Sequence, residues 1–436
     1  MMALASVRLW GRTIGAVSRE PGDRYATFQY ESRFAGSGIQ VAPLSMPLSR
    51  QPYTFPQLAR ESFHGLPGLL ADSLPDAFGN ALIDAWLARE GRASDDFGPV
   101  ERLCYIGTRG MGALEFQPST GPDPTPAGLL EVDALVQLAS EILRKREDLQ
   151  LIARSGAEEE ALTQLLRVGT SAGGARAKAL IAWNPETQEI RSGQIPMPAG
   201  FEPWILKFDG VRGMNDEALE GPLGYGAIEY AYALMARRAG IEMTECRLLE
   251  ENGRRHFMTR RFDRTVDGSK LHMLSLAGMA HLDFNQPGAH GYEQAILVIR
   301  RLARGMDAVE EQYRRMVFNV LARNQDDHVK NIAFLMDKSG RWSLSPAFDV
   351  AYAYNPSGRW TARHQMTVNG KAEDITLHDL REVARAASMK RGRGDAIYDQ
   401  VRTAVSDWTR FAEDAGVGER RARQIEAALR LELPAR

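Results

Sequence analysis

Asn324-Gln325-Asp326-Asp327-His328-Val329-Lys330-Asn331, with Asp349 closing Ser345-Pro346-Ala347-Phe348-Asp349 eighteen residues beyond, is the stretch whose reading decides the fold. Helical spacing over Val309–Arg323 precedes it and an apolar strand pattern, Ile332–Met336, follows, so rigid elements hold a polar loop between them. Asp326 can accept a proton from an attacking hydroxyl. Asn331, five residues on, offers an amide oxygen to a hard cation. Lys338-Ser339-Gly340 joins Asn331–Met336 to Arg341–Leu344 as a hairpin, and a hairpin returns the chain to its start, beside Asn331. One Asn and one Asp on adjacent strand ends, with room left for water and phosphate oxygens, suit Mg²⁺ held with a nucleotide. A proton acceptor, a metal Asn five residues on and a metal Asp after a hairpin form the arrangement of a protein-kinase site. Any one of these residues alone reads first as a capping Asp or Asn in a polar loop.

Working outward, a phosphate-binding cation is the next requirement. Lys207 interrupts the apolar run Trp204-Ile205-Leu206-Lys207-Phe208, and Glu229 opens the amphipathic pattern Ala227–Ala239, 22 residues later. A strand Lys paired with a helix Glu positions phosphates in kinases. An edge-strand Lys and an exposed helix Glu fit the same letters. Upstream, the Gly-rich turn Gly169–Lys178 could form an anion nest from its amides or be a plain loop. It is neither a Walker A sequence nor a Gly-x-Gly-x-x-Gly loop. Asn252-Gly253 marks a hairpin between Arg247–Glu250 and His256–Phe262. Arg260-Arg261-Phe262 then sits where a strand end could read an adenine edge, or where a surface strand would carry Arg–Asp pairs.

Length and charge bound the rest. The 436 residues suffice for two or three domains, and 54 Lys+Arg against 56 Asp+Glu give a net charge of −2. Such a balance argues against an autonomous, strongly basic nucleic-acid binder. Basic runs such as Lys390-Arg391-Gly392-Arg393 and Arg420-Arg421-Ala422-Arg423 read first as solvated helix ends. Two cysteines, Cys104 and Cys246, cannot build a disulfide framework or a four-thiolate zinc site, which fits a reducing cytoplasm. No stretch approaches eighteen consecutive apolar residues, and Arg8 and Arg12 interrupt the apolar N-terminus, so neither a membrane span nor a signal peptide is expected. Ser6–Tyr30 alternates as strands around Glu20-Pro21-Gly22-Asp23, Leu66–Glu90 turns helical behind Pro75-Asp76, and Leu103–Phe116 reads as a short strand. Gly121–Pro126 is linker-like. The predicted fold class is α+β: a small N-terminal β/α domain (1–120), a mixed N-lobe with a sheet (121–265) and a mainly helical C-lobe (266–436).

The order Thr170-Ser171-x-x-Gly174-Ala175-x-x-Lys178, Trp204–Phe208, Arg261-Phe262-Asp263-Arg264, Asn324-x-Asp326-x-His328-x-Lys330-Asn331 and Ser345-Pro346-x-x-Asp349 resembles the HipA family, the Ser/Thr-kinase toxins of type II toxin–antitoxin modules. Leu70–Asp76 and Tyr105–Gly112 are similar to the N-terminal domain of that family. The resemblance implies a two-lobed kinase-like fold using ATP and Mg²⁺. Asp326 would be the catalytic base, and Asn331 and Asp349 the metal ligands. Lys207 would contact the α/β-phosphates, Gly173, Gly174, Ala175, Arg176, Ala177 and Lys178 would be the phosphate loop, and Arg260, Arg261 and Phe262 the hinge. His328, Lys330, Asn331, Phe348 and Asp349 would complete the nucleotide pocket. Ser171 matches the autophosphorylated serine whose modification silences the enzyme, because two negative charges in an anion nest compete with ATP for its space. The implied partners are a helix-turn-helix antitoxin of the HipB type, through which alone operator DNA is reached, and a protein substrate, an aminoacyl-tRNA synthetase in related toxins. A small-molecule or lipid kinase of related fold, and a non-catalytic corepressor, are the alternatives.

Overall fold

The computed structural model describes residues 2–94, 97–122, 129–144, 163–166, 168–169, 176–194, 197–211, 223–265, 267–303 and 305–436. Ser171, Gly173, Gly174 and Ala175 lie outside the described residues.

The N-terminal alternation forms β1 (Ala3–Leu9), β2 (Arg12–Arg19) and β3 (Thr27–Tyr30), which join β4 (Leu114–Gln117) in an antiparallel sheet of order β3-β2-β1-β4. The inward residues of β1, Ala5, Val7 and Leu9, are fully or almost fully buried, as period-2 patterning requires. The strand expected over Leu103–Phe116 is instead the helix Pro99–Ile106 followed by a loop and the short β4. Pro99 at the first helical turn starts that helix, and Gly107, with φ of 57°, ends it.

A second sheet, order β6-β5-β7-β9-β8, contains β5 (Lys178–Trp183), β6 (Ile190–Ser192), β7 (Glu202–Lys207), β8 (Cys246–Glu251) and β9 (Arg254–Arg260). Asn252 and Gly253, both at positive φ (44° and 75°), make the tight β8–β9 turn that the Asn-Gly pair predicts. The helix Tyr225–Arg238 packs across β8 and β9, with Ala233 buried against Cys246 and Phe257. In the C-terminal half, β10 (His272–Ser275) joins β12 (Ala333–Met336) and β13 (Trp342–Leu344), while β11 (His290–Gly291) pairs with β14 (Met366–Thr367). Around them stand the helices Tyr292–Leu302, Met306–Leu321, Leu377–Ala386, Arg393–Ser406, Trp408–Asp414 and Glu419–Ala428. Asp407 ends the helix Arg393–Ser406 and begins the helix Trp408–Asp414.

Packing ties these parts together. One apolar core runs from the β1–β4 sheet (Val7, Phe28, Phe116) through Leu69 and Leu70 to Leu276, Val317 and Trp408. A second joins Phe78, Ala81 and Leu82 of the helix Ala77–Arg89 to Ile181, Leu206 and Met258 of the five-stranded sheet. The first 120 residues therefore supply apolar side chains to both cores, which bears directly on the site below. Among the described residues, no helix is long and apolar enough to cross a membrane.

Candidate active site

The cation comes from the end of β7 and its carboxylate from the first turns of the helix Tyr225–Arg238. Lys207 Nζ donates to Glu229 Oε1 at 2.5 Å, and both side chains are mostly buried. Asp209, just after β7, explains why that helix starts where it does. Its buried carboxylate accepts the amides of Gly224 (2.9 Å) and Tyr225 (3.0 Å), and its own amide donates to His256 Nδ1 at 2.8 Å. Gly226 lets the first turn lie directly on β9: a Cβ there would stand 1.9 Å from the carbonyl oxygen of Arg255. Gly226, Glu229 and Ala233 share one helix face, so seating Gly226 on β9 turns Glu229 towards Lys207.

Lys207 also contacts Asp349 Oδ1. Burial alone would lower the ammonium's pKa, but the Asp349 and Glu229 carboxylates outweigh it and hold Lys207 above its ordinary value. For Asp349 burial acts in the opposite sense and is again outweighed, by Lys207 and Lys178, leaving the carboxyl below its usual range. Asp349 lies at φ 52°, the left-handed region, and the segment after it is stitched to the polar loop by Gln325 N–H to Ala353 O (3.2 Å) and Ala353 N–H to Arg323 O (3.1 Å). A non-glycine residue held at positive φ is a common mark of a functional position.

The two adjacent aspartates of the loop face opposite ways. The Asp326 side chain is half exposed, with His328 Nε2 at 3.9 Å. Asn331 Nδ2 donates to the Asp326 carbonyl at 2.8 Å, fixing the Asn and leaving its oxygen as the outward donor. Asp327 is buried and accepts from Tyr292 OH (2.6 Å) and His364 Nδ1 (2.8 Å) on Oδ2, and from Gln365 N–H (2.8 Å) on Oδ1. Those bonds keep its carboxyl below the ordinary value against the cost of burial. Asn319 donates to Tyr292 OH at 2.9 Å and extends the network to the helix before the loop. Asp327, Tyr292 and His364 escaped sequence reasoning. The doubled Asp in Asn324–Asn331 was the only local signal, and nothing in the letters says which of the two is buried.

Phe262 and Phe348 approach each other with ring centroids 5.5 Å apart, linking the hinge to the segment of Asp349. The amides of Arg260 and Arg261 are spent on Glu245 O and Pro203 O, each at 2.9 Å, so neither is available to an adenine edge. Their side chains are engaged too: Arg260 with Glu202 (3.2 Å), and Arg261 with Asp263 through two bonds of 2.9 and 2.8 Å. Asp263 is fully buried and also takes the Gly112 amide at 2.7 Å, tying the hinge to the N-terminal domain. Arg176 stacks on Tyr225 with its guanidinium carbon 3.6 Å from the ring centroid, and Lys330 lies over Phe284 at 4.5 Å. Ala177 is buried. Lys178 is not part of a loop but the first residue of β5, ion-paired to Asp76 at 3.0 Å.

The structure thus brings Lys207, Glu229, Asp326, His328, Asn331 and Asp349 together where the lobes meet. One carboxylate and one amide oxygen are hard donors suited to Mg²⁺ with nucleotide oxygens and water completing the shell. Among the described residues there is no group of three or more His, Cys, Asp or Glu that could hold a metal ion.

A candidate kinase of Haemophilus influenzae is 25% identical over 174 residues, 35% of this chain; the chain spans about half (51%) of that relative's length. The HipA toxin of Shewanella oneidensis MR-1, solved in a complex with HipB and operator DNA, superposes with a TM-score of 0.65 at 14% identity, over 98% of this chain and 97% of the other. That likeness gives the fold. Residues 5–117 match the HipA N-terminal domain and residues 170–409 the HipA-like C-terminal domain; with more than half of its length in the latter, the chain belongs to the HipA family.

Proposed function

We propose that this protein is an ATP- and Mg²⁺-dependent protein Ser/Thr kinase serving as the toxin of a toxin–antitoxin module. The observation that carries the reading is the Lys207–Glu229–Asp349 cluster beside Asp326 and Asn331. A cation for the phosphates, a helix carboxylate that holds it, two oxygen donors for a metal and an outward carboxylate for a hydroxyl proton are the parts phosphoryl transfer needs. In the reaction the acceptor hydroxyl would give its proton to Asp326 as its oxygen bonds to the γ-phosphorus, while the bond from that phosphorus to the β–γ bridging oxygen breaks and ADP leaves. Lys207 would contact the remaining phosphates, and Asn331 and Asp349 would hold Mg²⁺, which when bound would supply positive charge beside the transferred group. The hinge would read the adenine through groups beyond the Arg260 and Arg261 amides, Phe262 being next in line. Autophosphorylation at Ser171, a HipB-type antitoxin that bridges to operator DNA and an aminoacyl-tRNA synthetase as target follow from the family resemblance, and a cytoplasmic location from the two cysteines. The Shewanella complex supports the antitoxin by analogy.

The test is intact-mass analysis of purified protein with Mg-ATP, beside an Asp326→Ala variant. One added phosphate mapping to Ser171 in wild type alone is the expected result. Turnover with only a metabolite as acceptor would favour a small-molecule kinase, and absence of nucleotide binding would favour a corepressor.

A further inference from the structure

Lys330 follows Asp326 in the same loop and places its ammonium over the half-buried ring of Phe284, 4.5 Å from the centroid. The same ring stands 6.2 Å from the imidazole of His328, whose Nε2 faces the Asp326 carboxylate at 3.9 Å. Base, imidazole, ring and ammonium therefore follow one another along one side of the site. Phe284 is fixed by what flanks it. Asp283 accepts the Asn285 amide on Oδ1 at 2.9 Å and the Gln286 side chain on Oδ2 at 2.8 Å, and its carbonyl accepts from His290 Nε2 at 3.1 Å. Ser62, on the short helix Arg60–Phe63 of the N-terminal domain, donates to Asp283 and accepts from Asn285 Nδ2 at 2.8 Å. Beyond Phe284, the Gly288 amide donates to Gln365 O at 2.8 Å, and the Gln365 amide binds Asp327. The N-terminal domain and the network behind the loop thus hold the ring together.

Charge on this side is uncommitted. Among the described residues neither Lys330 nor Arg60, exposed on the helix that carries Ser62, makes an ion pair. Both act on one imidazole: burial lowers the pKa of His64, and the charges of Lys330, Arg102 and Arg60 lower it further against an opposing effect of Glu61. Of these three cations, Arg102 is already paired with Asp84 at 3.0 Å. Proton transfer to Asp326 requires the acceptor hydroxyl within hydrogen-bond reach of its carboxylate, so residues flanking that hydroxyl come to lie on this surface. We infer that Phe284, Lys330 and Arg60 form the acceptor side of the site and select a protein segment with an acidic residue next to its Ser or Thr. A carboxylate there meets an ammonium and a guanidinium, and the Phe284 ring gives its methylenes an apolar floor. A basic neighbour meets like charge and is rejected. The inference rests on the kinase reading above and names the substrate class which that reading leaves open.

Full-length protein would be given radiolabelled Mg-ATP and either of two Ser/Thr peptide libraries, identical except for Asp/Glu or Lys/Arg beside the acceptor. At low ionic strength wild type is expected to phosphorylate the acidic library about fivefold faster, the scale of a half-exposed ion pair. Lys330→Glu should abolish or invert that preference, and Arg60→Glu, on the other domain, should reduce it. Each variant is read as a ratio between libraries, so a general loss of activity does not imitate the result. Equal use of the two libraries by wild type, self-phosphorylation without transfer to any acidic peptide, or a ratio unmoved by Arg60→Glu overturns the inference and leaves the kinase reading standing. Wild type that neither binds Mg-ATP nor phosphorylates itself overturns the kinase reading, and this inference falls with it.

Discussion

Replacing Asp327 by Asn removes one charge and alters no shape, and the bonds around the carboxylate set its cost. Oδ2 accepts from Tyr292 OH and His364 Nδ1, and Oδ1 from the Gln365 amide, at 2.6 to 2.8 Å. An amide has one oxygen for these three donors. With that oxygen towards Tyr292 and His364, the new NH₂ faces the Gln365 N–H and orphans a buried backbone donor. With it towards Gln365, the NH₂ faces His364, whose Nδ1 must then accept, which puts its proton on Nε2, a buried atom with no partner. Either way one buried donor goes unsatisfied, at about 1–3 kcal/mol, and the charge assistance of the other bonds is lost, for about 2–4 kcal/mol altogether. The neighbouring Asp326 rides on the same loop, and a displacement near 1 Å costs about 100-fold in rate. Urea unfolding followed by tryptophan fluorescence should show a lower midpoint at unchanged slope, and phosphotransfer kinetics a fall in kcat with KM for ATP nearly constant. Asp326→Asn, at a half-exposed position, should abolish transfer while shifting stability by less than about 0.5 kcal/mol. An Asp327→Asn protein as stable and as active as wild type would refute the argument that this network holds the loop.

Gly226→Ala should lower the thermal midpoint and weaken ATP binding together. The Cβ would stand 1.9 Å from the Arg255 carbonyl, and overpacking at about 1–3 kcal/mol exceeds the roughly 1 kcal/mol that Ala gains over Gly in a helix. Unchanged or higher stability in a melting scan would count against the close seating of that helix on β9. Acid should also destabilise the fold before most carboxylates titrate. His272 is fully buried and donates from Nε2 to Val41 O at 2.9 Å, and burial lowers its pKa to about 4. Because the folded value lies below the unfolded 6.5, the stabilisation is complete above pH 6.5 and is lost as pH falls through 4, up to about 3 kcal/mol. His281, also lowered to about 4 by burial, accepts the Gly68 amide on Nε2 and acts in the same direction. Urea midpoints from pH 7 to 4.5 should fall steadily, and a flat profile would contradict the assignment.

By itself the sequence determined the parts that are local. The Asn252-Gly253 turn, the Asp76 helix start, the alternation of β1 and β2, and the loop between the helix Met306–Leu321 and β12 are all set by residues within a few positions of each other. Spacing also sufficed to put Lys207 on a strand and Glu229 on the following helix, because period 2 and period 3.6 leave different marks. What only the tertiary structure decided are contacts between distant segments. Which of Asp326 and Asp327 turns inward depends on Tyr292 and His364, 35 and 37 positions away. Asp263, the local partner of Arg261, is buried because it also takes the amide of Gly112, 151 positions earlier, a contact the letters do not show. Lys178 leaves the expected phosphate loop for Asp76, 102 positions off, since a buried ammonium must find its counter-charge wherever the fold supplies one. Burial sets these choices, and burial belongs to the packed chain and not to any stretch of it.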